Sequence, residues 1–146
     1  MLQVLPALQG GGVERGTLEV AAELVRRGHR SLVVSAGGRL LPQLLAGGSE
    51  HISCPLGSKS VSSLRYIPRL RGLLKSAHVD IVHARSRLPA WITWLAWSSM
   101  DVATRARFIT TIHGLYSVNA YSAVMMKGER VIAVSEVARD YVLKHY

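Results

Sequence analysis

Val4-Leu5-Pro6-Ala7-Leu8-Gln9-Gly10-Gly11-Gly12-Val13-Glu14 is the stretch whose reading decides the fold. An apolar run feeds three consecutive glycines, and from Thr17 to Arg27 apolar residues recur at helical spacing, with Leu18, Ala21, Ala22 and Val25 on one face. Met1 to Val25 is therefore predicted to be a strand, a glycine-rich turn and a helix. Glycines lack Cβ atoms, so such a turn bends sharply and lets backbone N–H groups approach an oxygen-rich ligand. The helix that follows adds the partial positive charge of its N-terminus.

Two other readings of the turn compete with a binding site. Gly10, Gly12 and Gly16 give G-x-G-x-x-x-G, one residue longer than the dinucleotide fingerprint. The next strand, Ser31 to Ser35, leads into Ala36-Gly37-Gly38-Arg39, with no carboxylate to hold a ribose hydroxyl. These departures disfavour a nicotinamide or flavin oxidoreductase. The other reading is a turn that only connects two elements. Glu14 and the strand-to-helix position favour a site over that.

The alternation continues along the chain. A short helix is expected over Leu40 to Ala46, closed by Gly47-Gly48, and a short strand over His51 to Pro55. A basic helix follows over Ser60 to Ser76, then a buried strand over Val79 to His83 and a helix over Pro89 to Ser98. Strands at Phe108 to Ile112 and Arg130 to Val134 and a helix from Ser135 to His145 complete the series; Gly114 to Gly128 reads as a loop or a short helix. Apolar strands alternating with helices imply an α/β, Rossmann-like parallel sheet with helices on both faces, and ligands bind such sheets at the carboxyl ends of the strands. The candidate site residues are then those just past each strand: Gly10 to Glu14, Gly37-Gly38, His83 to Arg87, His113-Gly114 and Ser135-Glu136.

The 146 residues suit a single domain with a core large enough to need no staple, and 49% hydrophobic against 18% charged residues is a globular composition. Cys54 is the only cysteine, which excludes an internal disulfide and a cysteine-based zinc site and suits a reducing compartment. It reads as a small buried hydrophobe. His78 and His83 have no carboxylate at ligand spacing, so no metal is expected. No apolar run reaches the roughly 20 residues that cross a bilayer, and the opening run lacks the order of a signal peptide. The expected location is the cytoplasm, with peripheral attachment at the inner face of the membrane as its extension.

The net charge of +9, from 18 Lys and Arg against 9 Asp and Glu, favours anionic partners. Nucleic acid is the weakest of these, because aromatic residues are only 6% and do not interleave with the basic ones. The expected basic helix carries Leu64, Ile67, Leu70 and Leu74 among Arg65, Arg69, Arg71 and Lys75. It reads either as a covering helix whose leucines meet the sheet or as an amphipathic element on an anionic membrane surface through 60–76. Trp91, Trp94 and Trp97 read as packing rather than as a platform for sugar.

In order along the chain stand Gly11-Gly12-Val13-Glu14, Arg27-Gly28-His29, Asp80-Ile81-Val82-His83-Ala84-Arg85-Ser86, Thr110-Thr111-Ile112-His113-Gly114 and Val131-Ile132-Ala133-Val134-Ser135. In these motifs the sequence resembles the N-terminal domain of a GT-B fold, family 4 retaining glycosyltransferase. One departure is that Asp101 to Arg107 is longer and more basic than the family's usual Gly-Val-Pro entry to the strand before its histidine.

The resemblance implies two Rossmann-like domains facing each other across a cleft. Residues 1–146 would be the acceptor-side domain, and the nucleotide-sugar domain with its E-x7-E signature would be absent from this chain, leaving it an inactive half. It also implies a nucleotide-sugar co-substrate, no further cofactor, and a lipopolysaccharide, glycolipid or polysaccharide-precursor acceptor. His113 would be the catalytic histidine that contacts the transferred sugar. Gly11 and Gly12 would lie against the donor diphosphate or the acceptor, and Glu14 would hold the loop or an acceptor hydroxyl. Ser135 matches the serine after the last strand, which a helix N-cap explains as well. Arg85 and Arg87 are placed to grip phosphate or carboxylate on the acceptor, or else are solvated. A non-catalytic Rossmann-like binding module is the alternative from another class.

Overall fold

Strands that alternate with helices in sequence form, in the computed structural model, one parallel sheet with helices packed on both faces. The structure describes residues 1–57 and 61–146. The strands are β1 (Leu2–Val4), β2 (Leu32–Ser35), β3 (Glu50–Ser53), β4 (Ile81–Ala84), β5 (Arg107–Ile112) and β6 (Arg130–Ala133). The helices are α1 (Gly12–Arg26), α2 (Leu41–Ala46), α3 (Tyr66–Ser76), α4 (Arg87–Ser98) and α5 (Glu136–His145). Single 3-10 turns cover Val61–Arg65 and Ser122–Met126. Every strand pairing is parallel, in the order β3-β2-β1-β4-β5-β6. The chain builds outward from β1 to β3, then returns to lay β4 on the other side of β1. The order therefore reverses between β1 and β4, and a crevice opens at such a point above the carboxyl ends.

The pleat separates two kinds of interior. On one face Leu2, Val4, Leu32, Val34, Val82, Ala84, Phe108 and Ile112 pack with Leu70 and Leu74 of α3, Ile92, Ala96 and Trp97 of α4, and Ala138 of α5. Phe108 is fully buried, 5.4 Å from the Trp97 ring. On the other face Leu5, Leu8 and Val33 meet Leu18 and Ala21 of α1 and Leu44 of α2. That second core stops short of β4. Here Gln3 and His83 stand side by side in register, both buried, on strands otherwise apolar.

Several boundaries differ from expectation for local reasons. The run Val4 to Leu8 is strand only to Val4. Pro6 has no N–H to continue a ladder, and Leu5 and Leu8 instead donate to Val34 O (3.1 Å) and Gly37 O (2.8 Å). Helix α1 starts at Gly12, five residues before its apolar period becomes visible, because its first turn has no core to face. Helix α3 starts at Tyr66, with Pro68 tolerated in its first turn; the expected start at Ser60 lies outside the described residues. Its Leu70 and Leu74 are 2% and 4% exposed and serve the core, as a covering helix would, whereas Leu64 in the preceding 3-10 turn is 49% exposed. Cys54 is buried, and burial raises its thiol pKa, as for an inert hydrophobe. No helix among the described residues is long and apolar enough to cross a membrane.

Candidate active site

The two segments flanking the switch point are Gly10 to Glu14 after β1 and Arg85 to Arg87 after β4, and His113 follows β5, the next strand over. All three lie at the carboxyl end of one parallel sheet. Gly11 is the N-cap of α1 with extended backbone and offers no side chain to the helix. The first amide to find an acceptor inside the helix is that of Arg15, on Gly11 O at 3.0 Å. The amides before it are open donors at the positive end of the helix dipole. Gly11 and Gly12 are exposed. The Glu14 side chain folds back over Gly11, where Oε2 stands 2.6 Å from the position a Cβ would take.

Arg85 is 6% exposed and lies beneath α1. Its Nη1 donates to Gln3 Oε1 at 2.9 Å, Gln3 Nε2 donates to Thr17 O at 3.0 Å, and Thr17 Oγ1 donates to Val13 O at 2.8 Å. This chain of bonds runs from β4 through β1 to the first turn of α1 and fixes the helix start against the sheet. Gly16 leaves room for the guanidinium: a Cβ there would stand 3.0 Å from Arg85 Nη2. Nε of Arg85 has no partner, and burial holds its pKa below the ordinary guanidinium value, with Glu19 opposing the shift. Among the described residues Arg85 forms no ion pair, although a buried charge ordinarily requires one.

His83 and His113 complete the polar face. His83 is 4% exposed; its Nε2 lies 2.6 Å from Thr111 Oγ1, and Nδ1 has no partner. Burial first, then Arg85 and His113, push its pKa down to about 3. His113 is half-buried with Nε2 unpartnered. Burial and the Arg85 charge lower its pKa while Glu14 partly restores it, which shows the three groups sharing one field. A neutral imidazole with a free ring nitrogen can donate to or accept from a hydroxyl.

The His83 shift has a consequence for stability. The unfolded chain takes up a proton near pH 6.5 that the native state refuses until about 3. Stability is therefore complete above pH 6.5 and falls as the pH drops below it, down to about 3. By pH 5 the loss is about 2 kcal/mol. Urea unfolding at pH 5 and pH 8 should show this difference in the wild type and a smaller one in His83→Gln.

The other expected residues stand farther along the rim. Arg87, in the first turn of α4, is sandwiched between Tyr116 and Tyr121, 4.9 and 5.3 Å from the ring centroids, and donates to Ser122 Oγ at 3.3 Å. It staples the segment after His113 to α4, assisted by Trp91 Nε1 donating to Tyr121 O at 2.9 Å. Ser135 accepts from Ala138 N at 3.1 Å, so its hydroxyl caps α5. Among the tryptophans, Trp97 is buried and donates to Ala106 O, and Trp91 and Trp94 pack against the core. Sequence reading passed over Gln3, Thr17 and Thr111. For Gln3 and Thr111 the only signal was a polar residue in phase with His83 on a neighbouring apolar strand, and Thr17, on α1, gave none. Among the described residues no group of three metal-ligating side chains is close enough to hold an ion.

Residues 10–146 match the family model described as Glycosyltransferase Family 4. Among solved structures the chain is similar to a glycosyltransferase from Rickettsia africae ESF-5, at 40% sequence identity and a TM-score of 0.83. That match covers 99% of this chain and 39% of the other, so the chain spans well under half the length of that relative. No curated protein matches it.

Proposed function

Because the chain belongs to glycosyltransferase family 4, whose model it matches over nearly its whole length, we propose that it is the acceptor-side lobe of a retaining, two-lobed sugar transferase. In this reading a nucleotide-sugar held by a second lobe meets a lipopolysaccharide, glycolipid or polysaccharide-precursor acceptor above the β1–β4 switch point. The observation that carries it is the convergence of open amides, a buried guanidinium and a neutral imidazole on one rim.

Each group has a task that its chemistry suits. The amides at Gly11 and Gly12 face a diphosphate or acceptor oxygen and stabilise charge developing on the leaving group. Arg85 holds the start of α1 in place and raises the local positive potential. His113 hydrogen-bonds a hydroxyl of the transferred sugar, and Glu14, near it, orders the turn or receives an acceptor hydroxyl. Arg87 fixes the segment beyond His113 through its two tyrosines. Ser135 acts through the start of α5. No cofactor beyond the nucleotide-sugar is required. Attachment to an anionic leaflet through 60–76 would rest on exposed Arg69, Arg71 and Lys75, since Leu70 and Leu74 are used in the core. The protein would work in the cytoplasm, at the inner face of the membrane.

Gly12 provides a direct test. A Cβ there meets nothing within 4 Å, and its backbone is helical, so Gly12→Ala leaves folding unharmed. The added methyl projects into the space the ligand would enter. Sugar transfer by the enzyme carrying this chain should show a Michaelis constant for donor or acceptor raised about tenfold, equivalent to about 1.4 kcal/mol, with the melting temperature unchanged. Unaltered kinetics would remove the turn from the site.

A further inference from the structure

Among the described residues the His113 ring makes no hydrogen bond, so the place of the imidazole is set by packing and by the backbone that carries it. Past the end of β5 that backbone has little to hold it. Val134 N donates to Ile112 O at 3.3 Å, the last bond from β5 toward β6. Gly114 follows His113, and a Cβ there would meet nothing within 4 Å. What holds His113 itself is its own amide, which donates to the Tyr116 hydroxyl at 3.4 Å. The bond is long, and its worth depends on how firmly the phenol is fixed.

Tyr116 is gripped from two helices. Its ring packs against the core and lies under the Arg87 guanidinium of α4, and its carbonyl accepts from the Tyr141 hydroxyl of α5 at 2.7 Å. Tyr141 in turn packs its ring on His145, one turn along the same helix, with 4.6 Å between centroids. Residues 114–121 form neither strand nor helix, so side chains satisfy backbone groups that a ladder satisfies elsewhere. Trp91 serves Tyr121 in this way, Asn119 Oδ1 accepts from Ser122 N at 2.8 Å, and the Tyr146 hydroxyl donates to Ser117 O at 3.4 Å. Of these tethers, Tyr116 is the one that bonds His113.

We propose that Tyr116 is a positioning residue for His113 and ties it to α5 through Tyr141, so that the place of the imidazole at the rim follows the place of that helix. The path is continuous: Tyr141 hydroxyl to Tyr116 carbonyl, Tyr116 hydroxyl to His113 amide. Its two ends differ in firmness. Helix α4 is seated by Ala90, Ile92, Ala96 and Trp97, all buried, whereas Ala138 is the one buried residue of α5. The lightly seated helix is the one free to shift, and few buried contacts mark a segment that opens at low cost. The inference rests on the sugar-transferase reading only for the task of His113; the tie is a property of the fold.

The experiment first reads His113 without substrate. In the 146-residue chain, proton NMR follows the His113 Cε1 signal through a pH titration in the wild type, Tyr116→Phe and Tyr141→Phe. Burial and Arg85 hold this imidazole below the ordinary histidine range, with Glu14 opposing them and His83 in the same field. Loss of the tie should move the midpoint up toward the ordinary value in both variants. Tyr141→Phe is the sharper arm, because the hydroxyl it removes bonds Tyr116 and not His113. In the enzyme carrying this chain, Tyr116→Phe should lower kcat about fivefold with KM within roughly twofold of wild type. Tyr141→Phe should add little in the double variant, since it acts through the same residue. Tyr146→Phe, which releases Ser117 alone, should move neither readout. Both test variants keep the aromatic ring, so melting temperatures should stay within about 3 °C of wild type. An unmoved midpoint in either Tyr116→Phe or Tyr141→Phe overturns the inference, as does an equal shift in Tyr146→Phe. So does a wild-type kcat in Tyr116→Phe where His113→Ala is impaired. Shifted midpoints beside normal turnover in His113→Ala support the tie and remove only the catalytic task of His113, so the two readings fail separately.

Discussion

His113→Ala should lower sugar transfer about a hundredfold, close to 2.7 kcal/mol of transition-state stabilisation, while leaving the fold almost untouched. Among the described residues the side chain makes no hydrogen bond: its backbone N–H donates to the Tyr116 hydroxyl at 3.4 Å, and Nε2 is without a partner. Truncation therefore breaks no internal contact of note, and the melting temperature should move by no more than about 3 °C. A turnover defect with an intact fold is the signature of a group that touches substrate. The pH dependence gives a second readout. Burial and Arg85 lower the imidazole pKa, so the neutral form persists to pH values below the usual histidine range. Transfer should stay flat to more acidic pH than an ordinary histidine would allow and decline only below that, and the variant should lose that acidic limb. Wild-type turnover in His113→Ala would remove this residue from the site. Saturable ligand binding without transfer, in an enzyme carrying both lobes, would favour the non-catalytic module.

Gly38→Ala acts on the fold. A Cβ at this position would lie 2.5 Å from Leu8 O and 2.7 Å from Leu8 C, and φ is +143°, where residues with side chains are strained. The neighbour in the way is backbone, already fixed by hydrogen bonds to Gly37 O and from Leu40 N, so it cannot rotate aside as a side chain would. The expected cost is about 3 kcal/mol, a large share of the stability of a domain this size. Chemical denaturation should show the loss as a lower midpoint at unchanged slope. A midpoint equal to wild type would mean that the Gly37–Gly38 turn is not built as described. Gly12→Ala is the contrast, since open space around that position separates the effect on binding from any effect on folding.

Much of the fold was legible because helical and strand periods are local properties. The apolar runs at Val79 to His83 and Phe108 to Ile112 fell on β4 and β5, and the Gly10–Gly12 turn lay between a strand and a helix as expected. The family could be named from five short motifs, since each one sits at a strand end where backbone geometry restricts the residue. Three features were less legible. The leucines of α3 fit a membrane surface and a protein core equally well, because amphipathic spacing records that one face is apolar but not what covers it. The first turn of α1 adds only Val13 to the apolar pattern, so the helical period shows from Thr17 although the helix starts at Gly12. Arg39 looked like an ordinary loop residue. Only the approach of two glycine turns, 30 positions apart, shows what it is held against.

The sequence alone determined the alternation of elements, the parallel α/β class and the family, since these follow from side-chain periodicity and from glycine and proline punctuation along the chain. The tertiary structure decided which strand neighbours which. By laying β4 beside β1 it brought Gln3 against Arg85 and put His83, His113 and the glycine turn in one electrostatic field. The physical reason is range: propensity acts over a few residues, whereas burial, desolvation and charge coupling depend on distances through space between residues as far apart in the chain as Gln3 and Arg85.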